Sequence, residues 1–166
     1  NRGQIIVPTG GGKTMCMIED AKKVSGTVVV VAPRILLASQ LSSEFLEFID
    51  DVVVLHVHSG ETHHYSTTNA HKIRVWNNNS VRHKLIFTTY HSLHKIQEAD
   101  INIDTIYFDE AHNSIQKNFI EAVEYFSMYA NRCYFFTATP KHSKTPFKVG
   151  MNDSDIFGNV LINVPA

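Results

Sequence analysis

The chain has 166 residues, of which 43% are hydrophobic and 19% charged, and its formal net charge is −1. This length suits one domain with its own core, and the composition excludes a disordered tail. The apolar runs are too short to span a membrane, and the near-neutral charge excludes a protein that coats nucleic acid by bulk electrostatics. No signal peptide is visible and the first residue is not Met, so we expect an intracellular protein and a piece of a longer polypeptide.

Short apolar runs alternate with helical patterns along most of the chain. The predicted strands are Ile5–Val7, Thr27–Ala32, Val52–Val57, Leu85–Thr88, Ile103–Phe108 and Cys133–Phe136, with Val160–Val164 as a last strand or an exit segment. The predicted helices are Lys13–Val24, Leu37–Phe48 and Ile115–Phe126, with short ones at Ala70–Trp76 and through Leu93. This alternation predicts an α/β fold, a mostly parallel sheet with helices on both faces. Cys16 and Cys133 fall inside predicted elements, so we expect buried thiols.

The region from residue 59 to residue 80 is polar and interrupts this alternation. Histidines are frequent in and just before it, at His56, His58, His63, His64 and His71. No cysteine is near and no zinc-ligand spacing occurs, so we interpret these histidines as solvated. Trp76 is predicted to anchor the segment to the core.

A glycine-rich loop lies between the first predicted strand and the first predicted helix. It consists of Pro8, Thr9, Gly10, Gly11, Gly12, Lys13 and Thr14. Backbone N–H groups of such a turn bind phosphate oxygens, Lys13 reaches the β and γ phosphates of ATP, and the Thr14 hydroxyl binds Mg²⁺. Val7 stands where the longer Walker pattern has glycine, so the match is to a shorter form of the motif. The alternative is a solvent-exposed loop with a chance Gly-Lys-Thr.

Two carboxylates, Asp109 and Glu110, follow the predicted strand Ile103–Phe108 directly. The carboxyl ends of parallel strands are where such sheets bind ligands. Asp109 is expected to coordinate Mg²⁺ through water, and Glu110 to orient or deprotonate the attacking water. Taken alone, the pair could also be a solvated acidic turn.

Five motifs occur in a fixed order between residues 8 and 140. They are Pro8–Thr14 (motif I), Ala32–Gln40 (Ia), Thr88–Leu93 (Ic), Asp109–His112 (II) and Thr137–Pro140 (III). With these motifs the chain resembles the first RecA-like domain of a superfamily 2 DEAH-motif helicase or translocase. The Thr-Ala-Thr-Pro form of motif III is most similar to restriction-enzyme translocating subunits and to phage or viral DNA helicases. RNA-processing DEAH helicases are the second resemblance.

The resemblance implies roles for further residues. His112 would join Lys13, Asp109 and Glu110 in the catalytic set and couple the nucleotide state to Thr137 and Thr139. Contacts to the nucleic-acid backbone are implied at Pro33, Arg34, Ser59, Gly60, Thr88 and Thr89. The alternatives are an exposed helix-start residue for Arg34 and helix capping for the two threonines.

The family's motor also needs parts that this sequence does not contain. They are an upstream glutamine motif that reads adenine and a second RecA-like domain of the same polypeptide, which supplies an arginine finger. We therefore expect an ATP-dependent motor domain that acts on DNA, with negligible ATP turnover by this chain alone. The alternatives are an RNA helicase and a catalytically inactive helicase-derived scaffold that binds nucleic acid. A P-loop switch or kinase would lack motifs II and III.

Overall fold

A computed structural model describes residues 2–7, 12–60, 65–78, 81, 83–138, 151 and 154–163. The strands are β1 (Arg2–Ile6), β2 (Gly26–Ala32), β3 (Val52–Val57), β4 (His83–Thr89), β5 (Thr105–Phe108), β6 (Arg132–Thr137) and β7 (Asn159–Asn163). The helices are α1 (Lys13–Ala21), α2 (Ile35–Phe48), α3 (Ala70–Asn77), α4 (Leu93–Ala99), α5 (Ile120–Tyr129) and α6 (Ser154–Phe157). A 3-10 helix covers Ala111–Ile115.

The seven described strands form one sheet in the order β3-β4-β2-β5-β6-β1-β7. Every pairing between neighbouring strands is parallel. The predicted α/β fold is therefore confirmed. β2 lies in the interior of the sheet, where its β-branched residues are covered on both faces.

Helices cover the two faces of the sheet in separate layers. Alternate residues of β2 point to opposite sides, as a strand requires. Val28 and Val30 pack in the cluster that contains residues of α1 and α2. Val29 and Val31 pack in the other cluster, with residues of α3, α4 and α5. Trp76 packs against this second cluster, as predicted.

Several predicted element boundaries differ from the structure, among them those of β1, which covers Arg2–Ile6 and not Ile5–Val7. α1 ends at Ala21 rather than Val24, and Gly26 is the first residue of β2, where its φ is +128°. β5 begins at Thr105 and not at Ile103. The helix predicted from Ile115 is two elements, because i to i+3 hydrogen bonds such as Asn113 N to Glu110 O (3.0 Å) close a 3-10 turn first. Apolar spacing alone does not separate these two kinds of helix.

The two cysteines differ in exposure. Cys133 is buried in β6, as predicted, but Cys16 is exposed. α1 turns Met17, Ile18 and Ala21 inward, which leaves Cys16 on its outer face. Among the described residues, no helix is long and apolar enough to span a membrane.

The first strand has a neighbour on each side, β6 and β7. The side-chain amide of Gln4 in β1 donates hydrogen bonds to Met151 O (2.7 Å) and Gly158 O (3.0 Å). Gly158 has a φ of +70°, and a Cβ there would lie 2.5 Å from Arg2 O, so this approach requires glycine. The segment predicted at Val160–Val164 is thus a strand over 159–163, and Val164 lies outside the described residues.

Candidate functional site

A cavity of about 600 Å³ opens at the carboxyl edge of the sheet. It is lined by Lys13 and Thr14 at the start of α1, Asp109, Glu110 and His112 after β5, and Pro33 and Arg34 after β2. Parallel sheets bind ligands at this edge because every strand delivers its following loop there. The topology thus brings residues of motifs I, Ia and II, which are far apart in sequence, around one cavity.

The end of the glycine-rich loop sets the start of α1. Gly12 has a φ of +83°, a left-handed conformation that suits glycine, and its carbonyl accepts from Cys16 N (3.1 Å). Lys13 and Thr14 follow as the first two residues of the helix. The predicted phosphate-binding residues Pro8, Thr9, Gly10 and Gly11 lie outside the described residues.

Lys13 forms ion pairs with both predicted catalytic carboxylates. Its Nζ lies 2.7 Å from Asp109 Oδ1 and also contacts Glu110 Oε1. The Asp109 side chain is 6% exposed and that of Glu110 is 33% exposed. Glu110 has a φ of +50°, a conformation that costs a residue other than glycine about 1–3 kcal/mol. Such strain is common at functional sites.

Burial and charge oppose each other in this cluster. Burial alone lowers the pKa of the Lys13 ammonium, but Asp109 and Glu110 outweigh it and raise that pKa above its ordinary value. Burial raises the pKa of the Asp109 carboxyl despite the neighbouring Lys13. The cluster therefore contains a charged carboxylate in an environment that disfavours its charge, which makes it receptive to a cation.

The donor set fits a magnesium ion. Asp109 Oδ1 is buried and receives no well-aligned hydrogen bond from the described residues. The Thr14 hydroxyl belongs to the same cavity. Carboxylate and hydroxyl oxygens are the ligands that Mg²⁺ prefers. Two protein oxygens would suffice beside water and phosphate, and no group of three or more His, Cys, Asp or Glu side chains placed to hold a metal ion occurs among the described residues, here or elsewhere.

His112 lies between the carboxylates and the end of β6. Its Nδ1 is 3.1 Å from Thr137 Oγ1 and 4.0 Å from Glu110 Oε2. The structure thus joins residues of motifs II and III through a side-chain hydrogen bond. The other predicted coupling residue, Thr139, is outside the described residues.

The six predicted nucleic-acid contacts fall into two groups. Arg34 and Ser59 are exposed, and Pro33 and Gly60 are half-buried. Thr88 and Thr89 are buried, and the Thr88 hydroxyl donates to Val57 O across the sheet (2.7 Å). The predicted hydroxyl contact to phosphate is therefore not available at Thr88. Neither threonine caps α4, whose N-cap is Ser92.

The interpretation of His56 and His58 as solvated was wrong. Their side chains are 0% and 2% exposed and hydrogen-bond to each other. His63 and His64 lie outside the described residues, and His71 is exposed. His56 lies in β3 and His58 directly follows the last residue of this strand, so their two-residue spacing places both rings on one face. This spacing was the feature of the sequence from which their contact could have been predicted. The partner of His56, Ser42, lies in α2, so this contact cannot be predicted from the local sequence pattern.

Sequence reasoning also missed Tyr90. Its hydroxyl donates to the backbone carbonyl of Asp109 (2.8 Å), and its N–H donates to Ala32 O (3.3 Å). Tyr90 thus contacts the ends of β2 and β5 at once. No residue pattern marks a backbone acceptor, so this link was not predictable.

Comparisons with known proteins agree with this geometry. The family model described as "Type III restriction enzyme, res subunit" (ResIII) matches residues 1–142. A search of the curated proteins found no match.

Solved structures share the fold over nearly the whole chain. The Type ISP restriction-modification enzyme LlaGI, bound to a DNA substrate mimic, has a TM-score of 0.80 at 23% identity over 99% of this chain. The Hef helicase domain of Pyrococcus furiosus has a TM-score of 0.68 at 23% identity over 96% of it. The UvsW helicase of bacteriophage T4 has a TM-score of 0.64 at 14% identity over 97% of it.

This chain spans 18%, 34% and 54% of those three proteins, respectively. At such identities the likeness supports a common fold. The family match is more specific, since it covers the glycine-rich loop, the Asp-Glu-Ala-His segment and the Thr-Ala-Thr-Pro segment together. The chain belongs to the ResIII family of restriction-enzyme res subunits, with a RecA-like helicase fold.

Proposed function

We propose that this chain is the first motor domain of an ATP-dependent helicase or translocase that acts on DNA. The observation that carries the proposal is the ion-paired cluster of Lys13, Asp109 and Glu110 at the start of α1. A solvated acidic turn would not bury Asp109 against a lysine from the opposite end of the sequence. The second RecA-like domain of the same polypeptide would close the cavity.

Each residue of the cluster has a role in phosphoryl transfer to water. Lys13 would exchange its carboxylate partners for the β and γ phosphate oxygens of ATP. Thr14 and Asp109 would hold Mg²⁺, which neutralises developing negative charge when bound. Glu110 would accept the proton of the attacking water. This assignment makes Asp109–His112 a working DEAH box.

His112 would report the state of this site to motif III. His112, two residues after Glu110, is hydrogen-bonded to Thr137 at the end of β6. A change in the partners of Glu110 would move His112, which lies within 4.0 Å of it. Thr137, together with Thr139 two residues later in the sequence, would pass that change towards the second domain.

Nucleic acid would lie across the carboxyl ends of β2 and β3. Arg34 supplies an exposed guanidinium and Ser59 an exposed hydroxyl, which suit contacts to phosphate rather than to bases, and Pro33 and Gly60 adjoin these two residues in the chain. Thr88 and Thr89 would support this surface from inside the sheet. LlaGI was solved with a DNA substrate mimic, and the Thr-Ala-Thr-Pro segment resembles motif III of restriction-enzyme translocating subunits, which favours DNA over RNA.

The test is ATP hydrolysis by the full-length protein with magnesium, alone and with single-stranded DNA, duplex DNA or RNA. Lys13→Ala is expected to reduce hydrolysis by about 10³- to 10⁵-fold, the size of the effect of a cation on the transferring phosphoryl group in related enzymes. Lys95→Ala is the matched control, because Lys95 pairs only loosely with Glu98 at 3.9 Å on the surface. Unchanged hydrolysis in Lys13→Ala would overturn the proposal, and stimulation by RNA alone would replace DNA with RNA.

A further inference from the structure

A chain of hydrogen bonds runs through the protein interior from α2 to the loop after β3. Ser42 Oγ lies 3.1 Å from His56 Nε2, and His56 Nδ1 lies 3.0 Å from His58 Nε2. The chain ends at His58 Nδ1, which accepts from the amide of Gly60 at 3.2 Å. Both imidazoles are almost completely buried.

The fixed donor at one end sets the direction of every bond in the chain. Because an amide N–H can only donate, His58 Nδ1 carries no proton, and its Nε2–H donates to His56 Nδ1. His56 therefore has its proton on Nε2 and donates it to Ser42. Both rings are neutral in this arrangement, and burial lowers the pKa of His58 in agreement with it.

Packing holds the two rings in place. The His56 ring stacks on Phe87 of β4 with 5.5 Å between centroids, and the His58 ring stands at 85° to the His56 ring. A buried strand position normally takes an apolar residue. His56 at a buried position of β3 and His58 just after it therefore indicate a role that apolar side chains cannot fill. Here that role is to accept the hydrogen bond from the Gly60 amide.

The anchored loop lies against the start of α2. A Cβ on Gly60 would come within 2.7 Å of Ile35 Cγ2, so the Gly60 backbone approaches the first residue of α2 closely. Ile35 directly follows Arg34. The hydrogen-bond chain thus begins on α2 at Ser42 and returns to α2 beside Arg34, which places Ser59, Gly60 and Arg34 on one surface.

We propose that Ser42, His56 and His58 are positioning residues for nucleic-acid binding, which fix the Ser59–Gly60 backbone beside Arg34 so that both can contact one phosphate backbone. The inference rests on the proposed function, because it assigns these residues to the same nucleic-acid surface. It adds three residues to that surface, none of which would touch the nucleic acid itself.

Two substitutions of His58 separate the two ends of its ring. Asn places its side-chain oxygen near the position of Nδ1, so His58→Asn keeps the acceptor for the Gly60 amide. Gln places its amide nitrogen near the position of Nε2, so His58→Gln keeps the donor to His56 and loses the acceptor. The pair removes similar ring volume, so a purely structural role would affect both variants alike.

The experiment measures the affinity of the full-length protein for labelled oligothymidylate and for a DNA duplex by fluorescence anisotropy. Loss of one hydrogen bond predicts roughly a 3- to 10-fold weaker affinity for His58→Gln, and an affinity close to wild type for His58→Asn. Equal affinities for the two variants would overturn the inference. Arg34→Ala, with Lys23→Ala as the matched surface control, tests the nucleic-acid surface independently.

A second measurement does not depend on how well the variants fold. Long-range ¹⁵N–¹H spectra of histidine-labelled wild-type protein report the tautomer of each ring. We expect His58 to be neutral with its proton on Nε2, and its Nδ1 signal to shift when DNA is added. The opposite tautomer, or an unchanged signal at saturating DNA, would overturn the inference alone. A wild-type protein that binds no nucleic acid would instead overturn the proposed function.

Discussion

Two clusters of polar side chains at the carboxyl edge of the sheet are held together by different interactions. After β5 and at the start of α1, Lys13, Asp109 and Glu110 are held by opposite charges. At the end of β3, His56 and His58 are buried and held by hydrogen bonds between neutral groups. The first cluster can exchange its partners for a ligand, whereas the second has its hydrogen-bonding groups satisfied and fixes a shape.

The comparison extends to stability. The pKa of the Asp109 carboxyl is raised by burial, so the folded chain binds a proton there more tightly than the unfolded chain does. The stability contributed by this group rises as the pH falls through its folded pKa, is complete below the ordinary carboxyl pKa, and is absent above the folded pKa, where the ionised form is a cost. The histidine chain, in contrast, stabilises the protein in the neutral state of its rings. The charged cluster thus includes a group that costs stability when ionised, and the histidine cluster does not.

After the loss of Lys13, the largest expected effect comes from Glu110→Gln, which removes the base that we propose and keeps the shape of the charged cluster. Hydrolysis of ATP by the full-length protein is expected to slow by about 10²- to 10⁴-fold. Binding of magnesium-ATP, followed by calorimetry, is expected to remain. Glu98→Gln on the surface of α4 serves as the control. If nucleotide binding were lost with turnover, Glu110 would instead be a metal ligand or a structural residue.

The neutral cluster is tested by Ser42→Ala. This change removes the hydroxyl that accepts from His56 Nε2 in a buried position, and it is expected to lower the free energy of unfolding by about 1–3 kcal/mol. The neighbouring Ser43→Ala is the matched control, because Ser43 is exposed and bonds only within its own helix, to Ser39 O at 3.2 Å. Urea denaturation of both variants measures the difference, and equal stabilities would remove the contrast between the clusters.

Asp109→Asn is expected to change stability in the other direction. Removing a buried charge that the fold disfavours should raise the free energy of unfolding, at a pH above the folded pKa of Asp109, by about 0.5–2 kcal/mol, the size common for single stabilising substitutions. The same variant should lose ATP hydrolysis. Denaturation at neutral and acidic pH provides the check, since the gain should shrink as the wild-type carboxyl takes up its proton. Asp50→Asn at an exposed position is the control. A lower free energy of unfolding for Asp109→Asn than for the wild-type protein would contradict the prediction.

The smallest expected effect is at Tyr90, which joins the ends of β2 and β5 beside the charged cluster. Burial raises the pKa of its phenol well above the ordinary value, so its hydroxyl stays a donor to Asp109 O. Tyr90→Phe keeps the stacking on Phe108 and Phe119 and should cost about 0.5–1.5 kcal/mol, with weaker stimulation of hydrolysis by DNA. The exposed Tyr65→Phe is the control. Full stimulation in Tyr90→Phe would show that the hydrogen bond from Tyr90 to Asp109 O has no part in the response to DNA.

The sequence was sufficient for the parallel sheet and for the charged cluster. Thr27–Val31 is β-branched without interruption, and such a run has few structural solutions besides an interior parallel strand. The Asp109–Glu110 pair follows a strand directly, so the fold class alone placed it at the ligand-binding edge. These predictions succeeded because they depend on local pattern and on rules of topology.

The neutral cluster could not be predicted in the same way. His56 and His58 look polar in sequence, and only the packing of α2 across β3 shows that Ser42 meets them in the interior. The exposure of Cys16 and the 3-10 helix at Ala111–Ile115 likewise depend on which of several local solutions the tertiary structure selects. Long-range partners decide such cases.

The pairing of β7 with β1 determines which strand of the sheet is open to other chains. β1 leads into the glycine-rich loop, and β7 occupies the side of β1 that would otherwise present unpaired N–H and C=O groups. A polypeptide shortened before Gly158 would lose that cover and the Gln4 contact to Gly158 O. Unpaired strand edges recruit other strands, so such a shortened protein should self-associate through the strand that precedes its phosphate loop. β7 thereby moves the open edge of the described sheet away from the strand that leads into the glycine-rich loop.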